Sequence, residues 1–247
     1  MVQEEIEIPM ADGAADAVVY RLEGEGQRTG VLHLTDIGGI RPAYRDMARR
    51  LAAEGYVVLM PNVFYRTSRP PVLERKPGDS EEVFWKRFAE LTSPLTPEAI
   101  ASDAAIYVDV LARHPSVLPG SRFGVVGYCY TGAYALRVAA ACPERIAAAA
   151  SFHGGSLVTD APTSPHLLLP SIQAQLYFGH AVNDRSMPED AIRKLDAALQ
   201  EWGGEYESEI YAGASHGWTA SDNPAYNAPQ ADRAFSKLTD LFAAALP

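Results

Sequence analysis

From residue 30 onward the chain alternates short apolar runs with segments whose apolar positions recur at helical spacing. Runs at residues 30–34, 56–61, 123–128 and 146–152 are apolar at most positions, which is the mark of strands covered on both faces, and residues 173–179 read as a further strand. Between and after them, residues 42–54, 81–91, 97–114, 133–141, 188–199 and 229–245 read as helices. Residues 205–211 alternate apolar and polar, as a half-buried last strand does. Ahead of this series, Ile6-Glu7-Ile8 and Ala17-Val18-Val19-Tyr20 flank Asp12-Gly13, the pattern of an antiparallel hairpin. The order predicts an α/β fold: a mostly parallel central sheet with helices on both faces and an N-terminal antiparallel hairpin. In sheets of this kind ligands bind beyond the carboxyl ends of the strands, so residues just past each apolar run are the candidates for chemistry.

The segment Phe123-Gly124-Val125-Val126-Gly127-Tyr128-Cys129-Tyr130-Thr131-Gly132 passes from a strand pattern directly into helix formers. A sharp strand-to-helix corner with small residues on either side pushes its central side chain clear of the backbone, here that of Cys129. It also puts the Tyr130 amide at a helix start, where it can donate to a developing oxyanion. The plain alternative is that Cys129 is a small buried hydrophobe, and the corner alone leaves both open. Past the run at 30–34, Thr35-Asp36-Ile37-Gly38-Gly39 forms a loop whose Ile37 amide is placed to be a second oxyanion donor. Asp184 follows the run at 173–179 and His216 follows 205–211, so nucleophile, acid and histidine occur in that order. A thiolate attacks an acyl carbon, an imidazole moves the proton, and a carboxylate fixes the imidazole tautomer.

Gly127-Tyr128-Cys129 with Thr131-Gly132, Gly179-His180-Ala181-Val182-Asn183-Asp184, and Ala214-Ser215-His216-Gly217-Trp218 together resemble the motifs of the dienelactone hydrolase family. The resemblance spans nearly the whole chain. It implies an α/β-hydrolase fold and hydrolysis of carboxylic esters or lactones through a thioester on Cys129, with Asp184 and His216 completing the triad. It also supports Ile37 and Tyr130 as oxyanion donors. At the position of Asp36 the family carries a glutamate that holds the resting thiol. The aspartate is one methylene shorter, and its side chain either activates the thiol or bonds its own turn. Where family members that take dienelactone offer an arginine to the substrate carboxylate, this chain has Ala220; Lys76, Lys86 and Arg87 are the remaining candidates for the other such contact. The departure points to neutral, short-chain substrates, with Trp85, Trp218 and Tyr130 as apolar contacts. The aromatics at 84–88 read first as core packing and second as a pocket wall. His153 and His180 also follow or end apolar runs and are rivals to His216, whereas His33, His114 and His166 read as structural.

The chain has 247 residues, 47% of them hydrophobic, enough for one large core and one domain. A net charge of -10, with no cluster of Lys or Arg, argues against a nucleic-acid partner. The two cysteines, Cys129 and Cys142, lie at opposite ends of one helix pattern, roughly 20 Å apart at helical rise, and should not pair. An acidic N-terminus and the lack of an 18-residue apolar run give no sign of a secretion signal or membrane span, which points to the cytoplasm. Histidine spacing suits no metal, and no glycine-rich loop suits a phosphate, so neither metal nor cofactor is expected. The expected partner is a small ester or lactone, and the expected assembly a monomer or small homo-oligomer. The competing reading is a ligand-binding relative with little turnover; promiscuous attack on activated phosphoesters is a third.

Overall fold

A computed structural model describes residues 1–73 and 80–246, so Lys76 lies outside the described residues. Its strands are β1 (Val2–Met10), β2 (Gly13–Arg21), β3 (Gly30–His33), β4 (Val57–Pro61), β5 (Phe123–Tyr128), β6 (Ile146–Phe152), β7 (Gln175–Ala181) and β8 (Tyr206–Tyr211). The helices are α1 (Pro42–Ala53), α2 (Glu81–Thr92), α3 (Pro97–Arg113), α4 (Tyr130–Ala141), α5 (Glu189–Trp202) and α6 (Ala228–Ala245). The strands form one sheet in the order β1-β2-β4-β3-β5-β6-β7-β8. β1 and β2 form the expected hairpin and β2 joins β4 antiparallel, while every pairing from β4 to β8 is parallel.

Because successive side chains on a strand point to opposite faces, each apolar run serves two cores. Leu32, Leu59, Val125 and Ala149 belong to one core with side chains of α3, α4 and α5. Their neighbours Val31, Val58, Val126 and Ala148 pack on the other face, where α1 brings Tyr44, Ala48 and Leu51 and α6 brings Ala234, Leu238 and Phe242. Local chemistry sets the helix starts: Ser80 Oγ accepts from the Val83 amide at 3.3 Å, and Thr96 Oγ1 from the Ala99 amide at 3.2 Å.

Three expectations change. β7 runs two residues later than predicted, because His180 and Ala181 pair with Ile210 and Tyr211 of β8. A 3-10 helix, Pro165–Ser171, occupies the proline-rich stretch after β6 and packs on α4 and α5. The α2 aromatics are core only in part: Phe88 packs against the core and Phe84 is half-buried, whereas Trp85 and the neighbouring Val83 are exposed, and Leu91 is the fully buried side chain of that helix.

Candidate active site

β5 enters α4 through Cys129, whose φ of 55° and ψ of -122° put a non-glycine residue in a sparsely populated region. Two glycines make the corner possible. A Cβ on Gly127 would stand 2.0 Å from the Thr131 carbonyl oxygen, and one on Gly132 would stand 2.4 Å from Ser151 Oγ and 2.6 Å from Gly154 Cα. Hydrogen bonds then hold the strained residue from both sides. The Cys129 amide donates to the Phe152 carbonyl and to His153 Nδ1, both at 3.1 Å, and its carbonyl accepts from the Gly132 and Gly155 amides at 3.1 Å each. Thr131 Oγ1 closes the turn by accepting from the Tyr128 amide at 2.9 Å and donating to the Tyr128 carbonyl at 3.1 Å.

Two other loops at the same sheet edge meet this thiol. His216 Nε2 lies 3.1 Å from Cys129 Sγ, and His216 Nδ1 lies 2.6 Å from Asp184 Oδ2. The other carboxylate oxygen, Oδ1, accepts from the Ser186 amide at 2.8 Å and the Ser186 hydroxyl at 2.6 Å. Ser186, which sequence reasoning did not single out, therefore fixes the carboxylate that fixes the imidazole. Burial alone would lower the His216 pKa, but bonds to Asp184 and Cys129, and their charges, outweigh it and raise it to about 10. Burial pushes Asp184 the other way, yet the His216 and Ser186 bonds leave its carboxyl below the ordinary carboxylate range. Both shifts describe an imidazolium held between the Asp184 carboxylate and the Cys129 sulfur.

Neither rival histidine is placed to act on the sulfur. His153 Nδ1 accepts from the Cys129 amide, so its Nε2–H is the donor to Thr219 Oγ1 at 2.8 Å, and burial holds its pKa well below the usual value. It props the corner as a neutral ring, edge-on to His216 with centroids 5.1 Å apart. His180 stacks beside Phe178, sits 3.3 Å from Ser208 Oγ, and is pushed by burial down to about 4.

The loop after β3 resolves the Asp36 question toward the turn. Asp36 Oδ1 accepts from the Gly38 amide at 2.8 Å, and the carboxylate receives both terminal nitrogens of Arg41 at 2.5 and 2.9 Å. Arg41 turns its remaining donors to Asp222, Nε at 2.7 Å and a terminal nitrogen at 3.1 Å, so one guanidinium ties the β3 loop to the loop beyond His216. No Asp36 bond to Cys129 occurs among the described residues. Of the two roles the sequence left open for Asp36, the bond to its own turn is the one seen, joined by an ion pair to Arg41 that the sequence did not reveal. Gly38 and Gly39 direct their amides to Asp36, its side chain and carbonyl respectively. The Ile37 and Tyr130 amides have no protein acceptor among the described residues, Tyr130 because it opens α4.

The pocket candidates separate. Phe88 meets Tyr130 at 5.8 Å between centroids and Trp85 meets Phe88 at 5.4 Å, so Trp85, 57% exposed, is the outer end of an aromatic path to Tyr130 at the start of α4. Trp218 is not a pocket wall: it is fully buried, stacked on Tyr211 at 4.8 Å and edge-on to His153 at 5.0 Å. Ala220 is fully buried in the same core, so an arginine there would enter packed interior rather than a substrate pocket. Arg87 bonds Glu90 and the Val72 carbonyl, and Lys86 is exposed.

The model of the family described as "Dienelactone hydrolase family" matches residues 15–246. The chain belongs to the dienelactone hydrolase family. A Synechocystis protein assigned as a carboxymethylenebutenolidase is 28% identical over 220 residues, 88% of this chain and 86% of that one. The carboxymethylenebutenolidase of Rhodococcus opacus is 29% identical over 191 residues, 77% and 70% of the two chains. Among solved structures, a Klebsiella pneumoniae protein assigned to the dienelactone hydrolases superposes with a TM-score of 0.85 at 24% identity, covering 98% of each chain, which bears on the fold alone. The chain is thus a hydrolase of this family with its α/β-hydrolase fold.

Proposed function

We propose that the chain is a cysteine-dependent hydrolase of uncharged carboxylic esters or lactones that works through a thioester acyl-enzyme. The observation that carries this reading is the 3.1 Å approach of His216 Nε2 to Cys129 Sγ at a strained corner, with Asp184 on the far side of the imidazole.

The thiolate of Cys129 attacks the acyl carbon, and the carbonyl oxygen becomes an oxyanion facing the Ile37 and Tyr130 amides. Collapse expels an alkoxide that takes the proton from His216 Nε2 and leaves a thioester. Acylation removes the sulfur's negative charge, and with it two of the influences that raise His216, so the imidazole becomes a stronger acid at the moment it must act as one. Neutral His216 then takes a proton from water, the hydroxide adds to the thioester, and the thiolate leaves. Asp184, anchored by Ser186, keeps Nε2 toward the sulfur throughout.

Uncharged substrates are favoured because two arginines of the loops and helix beside the site, Arg41 and Arg87, are engaged. Arg41 is committed to two aspartates and Arg87 to Glu90 and a carbonyl. A charge-assisted bond to a substrate carboxylate contributes roughly 1.5 to 3 kcal/mol, so its loss lowers selectivity for an anion by about one to two orders of magnitude. The test is kcat/KM for a neutral ester or lactone and a carboxylate-bearing one of equal size. The neutral compound should be preferred at least about tenfold; a strong preference for the anion would overturn the substrate class. No turnover of any ester in the panel would instead favour a ligand-binding relative. Among the described residues no helix is long and apolar enough to cross a membrane, and we place the enzyme in the cytoplasm, where its thiol stays reduced.

A further inference from the structure

The loop that carries His216 reaches Cys129 twice. On the sulfur side His216 Nε2 lies 3.1 Å from Sγ. Three residues further along, Thr219 reaches the backbone of the same residue through His153: Thr219 Oγ1 lies 2.8 Å from His153 Nε2, and His153 Nδ1 accepts from the Cys129 amide at 3.1 Å. The loop between the two contacts closes on the His153 ring, with the His216 and Trp218 rings edge-on to it at 5.1 and 5.0 Å, while Tyr128 of β5 stands 6.1 Å away. The bonds therefore form a circuit that runs from the sulfur to His216, along the loop to Thr219, through His153 and back to the Cys129 amide.

The circuit needs a neutral imidazole in one tautomer. Because Nδ1 accepts, the ring proton sits on Nε2 and is given to Thr219 Oγ1. With the proton on Nδ1 instead, the ring and the Cys129 amide would face each other as two donors. His153 is 1% exposed, and burial together with the neighbouring His216 charge keeps the ring from taking a second proton. The ring is itself anchored: His153 has φ of 40°, a strained value for a non-glycine residue, and its amide donates to the Gly179 carbonyl at 2.7 Å. A phenylalanine ring would fill the same space, but it would leave the Cys129 amide to the Phe152 carbonyl alone and Thr219 without its donor.

We infer that His153, oriented by Thr219, is a positioning residue that sets the separation of Cys129 Sγ from His216 Nε2. The inference rests on the cysteine mechanism proposed above. Among the described residues His153 forms no bond to the sulfur; it acts through the Cys129 amide, and so through the backbone direction from which the thiol projects. Misplacing a reacting group by 1 Å can cost on the order of 10²-fold in rate, which gives a hold of this kind its value.

Three variants separate positioning from packing. His153→Phe keeps a ring but no acceptor, His153→Asn keeps an acceptor close to the place of Nδ1, and Thr219→Val keeps the shape but removes the partner of Nε2–H. In His153→Phe kcat should fall roughly tenfold, about the worth of one hydrogen bond, with KM little changed. His153→Asn should recover most of that loss. Thr219→Val should lower kcat alone and add little to His153→Phe, because both break one circuit. Alkylation of Cys129 by iodoacetamide should slow by similar factors in the same order, and this readout needs no ester. In the wild-type protein, nitrogen-15 NMR should find the His153 proton on Nε2 at neutral pH, an observation that stands where a variant does not fold. Should no ester be cleaved, the proposed function fails while the alkylation rates and the tautomer still decide the role of His153. Wild-type kcat and alkylation rates in His153→Phe, equal losses in His153→Asn and His153→Phe, or a wild-type proton on Nδ1 would each overturn the proposal and leave His153 a packing residue.

Discussion

In the proposed mechanism Cys129 combines three demands that pull against one another: a strained backbone, a reactive sulfur and a fixed position beside an imidazole. Gly127 and Gly132 meet the first, and substitution at either is expected to fail for steric reasons. Gly132→Ala must move Ser151 or the Gly154 backbone and should cost about 2 kcal/mol or more, seen as a fall in the denaturant midpoint with the slope unchanged. A full-stability variant would mean that the corner is slacker than its contacts indicate. Cys129→Ala and His216→Ala should each reduce kcat/KM on the order of 10⁴-fold or more, and the double variant should lose little beyond either single one, because the groups act as a unit. The same losses in His153→Ala, with the fold retained, would move the base to the wrong side of the sulfur. Iodoacetamide should modify Cys129 ahead of Cys142, whose thiol burial pushes up.

Among the elements, the loop after β3 and the loop after β8 are coupled through Arg41, which gives α1 a part in the site that its sequence does not announce. Burial would lower the Arg41 pKa, but the Asp36 and Asp222 bonds outweigh it and raise it further. Removing the guanidinium leaves a nearly buried Asp36 carboxylate facing an empty space, so Arg41→Met should lower stability by about 3 kcal/mol and kcat with it. Asp36→Asn combined with Arg41→Met should recover a good part of the stability, and a double-mutant cycle showing simple additivity would rule the coupling out. This pairing explains what the sequence could and could not show. Strand and helix periods were legible because each run is buried on both faces, and the order Cys129, Asp184, His216 was legible because each residue follows a strand. Arg41 with Asp36 and Asp222, and Ser186 with Asp184, join loops by bonds that leave no periodic trace. The family resemblance puts Ala220 at a substrate-binding position, and Trp218 is expected beside it as an apolar contact. The turn at Gly217, with φ of 92°, instead leads them back into the core beneath α6. The proline-rich stretch hid a 3-10 helix because Pro165 and Pro170 resemble loop punctuation.

At the scale of the whole molecule, the His216–Asp184 pair links stability to pH. His216 has a folded pKa of about 10 against an ordinary 6.5, so its contribution is fully present below about pH 6.5 and is lost as pH rises toward 10. The Tm of the wild-type protein relative to His216→Gln should therefore be highest at pH 6 and decline steadily to pH 10, whereas a constant gap would mean that the imidazolium is not stabilised in the fold. The measurement that bears most directly on the account is the mass of the protein caught in the first turnover of a neutral activated ester such as p-nitrophenyl acetate. A burst of nitrophenol is expected, with one acetyl group added per chain, located by peptide mapping on Cys129 and persisting longer in Asp184→Asn. Turnover without an adduct, or an acetyl group that maps to another residue, would contradict it.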